Sequence, residues 1–365
     1  MPRNDNDKWQ MDLEEYIRQG EPEQSEKSTA WKTAIGLQDV DGLKTSEYLL
    51  ETAKEHIEGR IDIKTAQKRI QSYYEEHQTR TEIEEGTKEA DIVSARITEL
   101  LGERTFQFSP AEWKTIHKRL FKGILPHAGE YRTYNITKSE WVLNGETVLY
   151  ASADSIRDTL DYDFGLEKEF SYEGLSADEA IKHIAKFTSG IWQIHPFCEG
   201  NTRSTAVFII KYLKTFGFSV NNEIFAQNSW YFRNSLARAN YNDLGKGIIA
   251  NTIYLERFFE NLLMGYQNEL KNRFVHVDYR ELVAIQSANA SNSKSQNGTL
   301  KMSLEEIAII KVLHEEPSAT QKRIAELTGK SERTIKRRTV EMQEKGLIRR
   351  ENGKRNGRWE VLIEP

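Results

Sequence analysis

Two apolar helical patterns that meet at one polar turn constrain this chain more than any other feature. "SADEAIKHIAKFTSGIWQI", residues 176–194, is a long amphipathic pattern behind Ser176, a residue suited to cap a helix. "TRSTAVFIIKYLKTFG", residues 202–217, is nearly all apolar on one side, which marks a core helix. Burying both requires further helices around them. The turn between them, "HPFCEGNTR" (195–203), carries a histidine, an acid, a Gly-Asn pair and an arginine.

The other segments supply those helices. "SEYLLETAKEHIEG" (46–59), "IDIKTAQKRIQSYYEEHQ" (61–78) and "TKEADIVSARITELLG" (87–102) read as helices, the first and third closed by Gly59 and Gly102. "SPAEWKTIHKRLFKGI" (109–124) opens with Ser109 as cap and Pro110 at the first helical position. "SWYFRNSLARANY" (229–241) and "NTIYLERFFENLLMGYQNEL" (251–270) complete the bundle. "GEYRTYNITKSEWVLNGETVLYAS" (129–152) differs, because β-branched and aromatic residues flank Asn144-Gly145, a hairpin signal. "SANASNSKSQNG" (287–298) has no large apolar residue and reads as linker. Three helical segments and a strand, Gly/Asn turn, strand follow it, the order of a winged helix-turn-helix. The expected fold is therefore all-α with one hairpin and a C-terminal winged domain. Its parts are a flexible charged arm (1–30), a helical module (31–100), the main bundle (101–286), a linker (287–300) and the winged domain (301–365).

Composition narrows the function. With 365 residues and a net charge of −5, the chain as a whole is not a polyanion binder. Cys198 is the one cysteine, which excludes a disulfide framework and points to a reducing compartment. No apolar run approaches the ~18 residues of a membrane span, and the charged N-terminus has no signal-peptide core. A soluble cytoplasmic protein without membrane contact is expected. Charge is uneven, however: residues 330–358 hold eleven Lys/Arg against four Asp/Glu. Arg333, Lys336 and Arg337 face outward if Ile335, Val340 and Leu347 pack inward. Arg349, Arg350, Lys354, Arg355 and Arg358 belong to the wing, and the set suits DNA phosphates with little sequence readout.

The turn has its own chemistry. A loop that opens into a helix offers unpaired N–H groups and the positive dipole end to a phosphate. Gly200 permits close backbone approach. Asn201 can bond either the loop or an oxygen, and Arg203 supplies a forked cation. Glu199 is a hard oxygen ligand for a Mg²⁺ that already carries nucleotide phosphates. His195 can deprotonate an incoming hydroxyl, and Phe197 anchors the loop in the core. The set fits in-line attack of a hydroxyl on a metal-bound phosphate.

"HPFCEGNTR" is similar to the Fic-domain signature HxFx(D/E)GN(G/T)R. "LFKGILPHAGEYR" resembles the segment before that family's flap hairpin, and "NSWYFRNSLARANY" its nucleotide-side helix. The resemblance covers residues 80–270 or so. It implies an all-α bundle with a β-hairpin flap that docks a target, and transfer of AMP from ATP to a protein hydroxyl with Mg²⁺. On this resemblance His195 is the base and Glu199 the metal ligand. Gly200, Asn201, Thr202 and Arg203 anchor phosphates, and Tyr231 and Asn240 contact the adenine. A second arginine common in the family is replaced by Ala206. "TEIEEG" (81–86) resembles the family's inhibitory motif, with Thr81 and Glu85 on one helix face. Glu85 would point into the ATP site and, given Ala206, would pair with Arg203. Residues 31–80 resemble the antitoxin-like module that carries such a motif. Two alternatives stand beside an autoinhibited AMP transferase: a DNA-binding regulator whose Fic domain senses nucleotide or has lost catalysis, and AMP removal with water positioned by Glu85. The implied partners are a hydroxyl-bearing target protein and DNA. Homodimerisation is left open.

Overall fold

The structure, a computed structural model, describes residues 13–17, 20–77, 81–218, 223–279, 302–351 and 357–363. The expected linker at 287–300, together with Lys354 and Arg355, lies outside the described residues.

Helix α1 (Pro22–Gly36) starts with Pro22 at its first position and a Glu21–Gln24 capping box. Residues 22–30, assigned above to a flexible arm, are thus helical, with Ser28 and Ala30 buried. The correction has a simple cause: a highly charged stretch still orders when its few apolar groups find a core. Leu13 and Trp31 join Leu49, Ala53, Ile57, Ile70 and Ala95 in a small separate core. Helices α2 (Glu47–Ile57) and α3 (Ile63–Glu76), capped by Ser46 and Asp62, enclose it. A 3₁₀ turn, Leu37–Asp41, leaves α1 and ends at Gly42 with φ 70°.

Helix α4 (Glu82–Gly102) packs on α1 and α3 on one side and on the main bundle on the other. That bundle comprises α5 (Pro110–Phe121), α6 (Ile156–Glu169), α7 (Ala177–Ile194), α8 (Asn201–Thr215), α9 (Glu223–Ala239) and α10 (Ile253–Phe259). Every residue of α8 from Asn201 to Leu213 is buried, so it is the central rod. The arm at 129–152 folds back where Asn144 was expected to turn it, with Asn144 left-handed at φ 58°. It does so without strands: a 3₁₀ turn (Trp141–Leu143) forms the tip, and the limbs are joined by Glu140 N–H to Glu146 C=O at 3.0 Å, Gly145 N–H to Glu140 C=O at 2.9 Å and Lys138 N–H to Thr147 Oγ1 at 3.1 Å. Side chains hold it instead of a ladder. Val142, Leu143 and Val148 enter the main core, and the buried Glu140 pairs with Arg233 of α9 at 3.0 Å.

The C-terminal unit has α11 (Leu304–Glu315), α12 (Gln321–Thr328) and α13 (Glu332–Glu344), then β1 (Ile348–Glu351) antiparallel to β2 (Arg358–Val361). This is the one strand pair among the described residues. Helix α11 is buried in the same core as the bundle. The first N–H of α7, from Ala177, donates to Met302 C=O at 2.8 Å. Past the end of α8, Gly217 has φ 96°, and a Cβ there would lie 3.2 Å from Thr328. Both helices that flank the polar turn therefore rest their far ends on the winged unit. No described helix is long and apolar enough to cross a membrane.

Helices α1 and α9 touch at Gly36, where a Cβ would lie 2.3 Å from the Ala226 carbonyl oxygen. Gly36→Ala should destabilise the chain by about 1–3 kcal/mol in urea unfolding, because the helices must separate. Gly102→Ala, where a Cβ meets nothing within 4 Å, is the control. Equal stability of the two variants would contradict this contact.

Candidate active site

Helix α7 ends in His195, which caps it in the left-handed region at φ 49°, ψ 59°. Such a conformation costs a non-glycine residue on the order of 1–2 kcal/mol, so the surroundings must hold it. The imidazole is 2 % exposed and lies against the rings of Tyr150 and Trp192, at 4.4 and 5.2 Å between centroids. Nδ1 approaches the Trp192 carbonyl at 3.3 Å, while the buried Nε2 has no partner among the described residues. Nδ1 therefore carries the proton, and Nε2 keeps a free lone pair. Burial, then the nearby Lys138, with smaller effects from Arg132 and Arg233, hold the pKa well below the usual histidine value. The ring is neutral at physiological pH.

Between α7 and α8 the loop is closed by Asn201, whose Oδ1 accepts from Phe197 N–H at 3.0 Å. Its Nδ2 donates back to Phe197 C=O at 2.7 Å. Of the two roles open to Asn201, the loop-bonding one is realised. Phe197 stacks on His117 with centroids 3.7 Å apart. His117 is a site residue that sequence reading missed. Its Nδ1 accepts from Gly129 N–H at 2.9 Å, so Nε2 must be the donor to the Glu199 carbonyl, also at 2.9 Å. Burial pushes its pKa down to about 4. Gly200 has φ 71°, and a Cβ there would lie 2.4 Å from the Phe121 ring, so conformation and space both demand glycine. Thr202 Oγ1 accepts from Trp192 Nε1 at 3.0 Å, which ties α8 to α7. The Glu199 side chain is exposed and has no hydrogen bond or ion pair to a described residue.

Arg203 is buried and already engaged. It donates to Gln38 Oε1 at 3.1 Å and to Glu89 Oε1 at 2.6 Å, and lies over the Phe121 ring. Its Nε sits 2.7 Å from Asp41 Oδ2, an ion pair outside the N–H direction, so it satisfies charge but not the hydrogen bond. Gln38 and Asp41 come from the 3₁₀ turn and Glu89 from α4.

Four expectations fail here. Glu85 does not reach Arg203: its side chain is 57 % exposed and pairs with Lys88 at 3.6 Å. Thr81 is the N-cap of α4 in a capping box with Glu84, a local role. Tyr231 is fully buried, with its hydroxyl donating to Tyr254 C=O at 3.2 Å, so it has no face for a base. Asn240 braces α9 to α7 by donating to Ser189 C=O at 2.9 Å. The arm contributes Arg132, also unmarked in the sequence reading, whose guanidinium donates to the His195 carbonyl at 2.8 Å.

His117 and His56, whose Nδ1 accepts from Trp31 Nε1 at 2.9 Å, both titrate near pH 4 when folded. Below about pH 6.5 the unfolded chain takes up protons that these buried rings refuse. Stability is therefore full above pH 6.5 and falls toward pH 4, by up to about 1.4 kcal/mol per pH unit for each ring. His117→Gln, which can keep both hydrogen bonds without titrating, should flatten this slope in urea unfolding between pH 6 and pH 4.5. An unchanged slope would contradict the assignment.

Residues 107–213 match the model of the Fic/DOC family, and residues 306–349 that of a winged helix-turn-helix DNA-binding domain. No curated protein matches the chain. Among solved structures it is similar to a Fic family protein from Desulfovibrio desulfuricans, with 11 % identity over 100 % of this chain and 98 % of that chain, at a TM-score of 0.41. The polar turn thus lies inside the segment that matches the Fic/DOC family model, and the C-terminal unit contains the segment that matches the winged helix-turn-helix model.

Proposed function

We propose that the Fic domain transfers AMP from ATP to a hydroxyl of a protein side chain, and that the chain restrains this activity itself. The observation that carries the reading is the pairing of a neutral imidazole, unpartnered at Nε2, with an arginine held by removable carboxylates. His195 Nε2 takes the hydroxyl proton. The oxygen then bonds to the α-phosphorus as the bond to the bridging oxygen breaks and pyrophosphate leaves. A placed base contributes roughly 10²–10⁴-fold. The N-terminus of α8 favours the anionic phosphates. Glu199 fits Mg²⁺: it is an exposed carboxylate without a partner among the described residues. Magnesium held there with ATP phosphates would supply charge neutralisation.

Restraint comes from Glu89 and Asp41. A phosphate that seeks Arg203 must displace both carboxylates. A like charge about 4 Å away costs roughly 4 kcal/mol at an effective dielectric of 20. The brake is thus read at Glu89 and Asp41, in place of Glu85.

The full-length double variant Asp41→Asn/Glu89→Gln should transfer α-labelled AMP to itself or to lysate proteins at least about tenfold faster than wild type, a gain of about 1.4 kcal/mol. Adding His195→Ala should abolish the signal. Glu85→Gln should match wild type. A double variant no faster than wild type removes the brake, and a fully active His195→Ala removes the base.

A second reading concerns the winged unit, which we propose contacts DNA. Helix α13 buries Ile335, Thr339 and Met342 at i, i+4 and i+7. Val340, expected inward, is 51 % exposed because it falls off that stripe. It shares the outer face with the exposed Arg333, Lys336 and Arg337. Several cations are engaged within the unit: Arg337 pairs with Glu341 at 3.7 Å, Arg338 with Glu305 and Glu341, and Arg349 with Glu351 and Glu360, whereas Arg333 and Lys336 make no ion pair to a described residue. Anisotropy titrations of the full chain on duplex DNA should show steep salt dependence. Lys336→Ala should lower the log–log slope by about 1. Absence of binding at low salt would assign the unit to protein contact.

A further inference from the structure

We infer that Arg132 is a positioning residue that locks the arm at 129–152 to the backbone of His195, so that the arm and the imidazole move as one piece. This rests on His195 being the base proposed above. Arg132 is buried, and its Nε–H donates to His195 C=O at 2.8 Å. One terminal nitrogen donates to Tyr134 C=O at 2.8 Å, and the other to Ile194 C=O at 3.3 Å and to Ala151 C=O. Its main-chain N–H donates to Pro196 C=O at 2.8 Å. One residue therefore gathers three consecutive carbonyls, those of Ile194, His195 and Pro196, and both limbs of the arm.

The chemistry suits a guanidinium and no other side chain. The end of α7 leaves carbonyls without intrahelical partners and forms the negative end of the helix dipole. A planar cation with five N–H donors can satisfy several of them at fixed angles, whereas an ammonium is a single point. No carboxylate is among these contacts, so the charge serves the carbonyls and is not consumed in an ion pair. The left-handed turn at His195, with φ 49°, is held by the same bonds. Ala151 is adjacent to Tyr150, the ring that packs on the imidazole. A second tie runs parallel, from Gln193 Nε2 to the Leu149 carbonyl at 2.9 Å. Displacing the arm therefore pulls on the base, its ring partner and its backbone together.

The test reads His195 directly. Diethyl pyrocarbonate attacks a neutral imidazole nitrogen only when it can reach it, and His195 is buried. His127, with its side chain 65 % exposed, is an internal reference. In full-length Arg132→Gln, modification of His195 relative to His127, mapped by mass spectrometry, should rise at least about tenfold, as expected when two or more hydrogen bonds are lost. Arg132→Lys should fall between Gln and wild type. In the Asp41→Asn/Glu89→Gln background, Arg132→Gln should lower kcat with KM for ATP little changed. A folded Arg132→Gln protein with wild-type His195 reactivity overturns the inference. So does loss of cooperative unfolding in both variants, which would make Arg132 a general determinant of the fold. If His195 reactivity rises but no background transfers AMP, the clamp stands and the transferase reading fails.

Discussion

The burial of α8 is the constraint on which the rest depends. A helix with no exposed residue from Asn201 to Leu213 must satisfy its polar groups inside the protein. Ser204 accepts from Trp113 Nε1 and donates to Asn201 C=O, and Thr205 donates to the same carbonyl. Lys211 donates to the carbonyls of Leu100 and Glu103, and Lys214 to that of Leu101. These lysines cap the C-terminal end of α4, where the helix dipole favours cations. At the other end Arg203 meets Glu89 of the same helix. The sequence separations of 114, 111 and 113 residues for the Arg203–Glu89, Lys211–Leu100 and Lys214–Leu101 contacts barely change, so α4 and α8 run parallel in one fixed register.

That register decides which glutamate faces the site. Glu85 and Glu89 lie one turn apart on the same face of α4, about 6 Å along its axis. Both were visible in the sequence, and the six-residue match to an inhibitory motif favoured the first. A local motif contains no information about where a neighbouring helix stops. Lysines more than a hundred residues away fix that, and they place Glu89 level with Arg203. The 3₁₀ turn then adds Gln38 and Asp41 from a third direction. Nothing in "GLQDVDG" marks that turn as part of the site.

Elsewhere legibility followed the same division. Strong periodicity located α8 and the helices of the winged unit, and caps located α5 and α7, because Ser109 and Ser176 each accept the expected N–H in the first turn. The arm was legible as a reversal at Asn144 but not as a strandless one, since turn chemistry is local while ladder formation depends on what the limbs pack against. Tyr231 and Asn240 carried polar groups that suit a ligand equally well as a helix brace, and burial chose the brace. His117 and Arg132 carried no spacing signal at all. Their hydrogen-bond partners are backbone atoms, whose positions no side-chain motif announces.

The nine residues 195–203 therefore encode shape more than reaction. Asn201 and Thr202 use their side chains to close and anchor the loop. Gly200 makes room for Phe121, and Phe197 fills the core beneath. Within this stretch His195 Nε2 and the Glu199 carboxylate have neither a hydrogen bond nor an ion pair to a described residue. Both are carried by a loop that Asn201 closes with two hydrogen bonds, an arrangement that limits reorganisation of the groups it holds. Arg203 differs from both. It is rigidly held, but by acids that belong to a separate helical module and the long helix beside it. The frame would survive their withdrawal, because the loop makes none of its closing bonds to them. On the function proposed above, a site built this way is permanently assembled and still switchable, since the proposed switch acts on one guanidinium and leaves the proposed base and its loop in place.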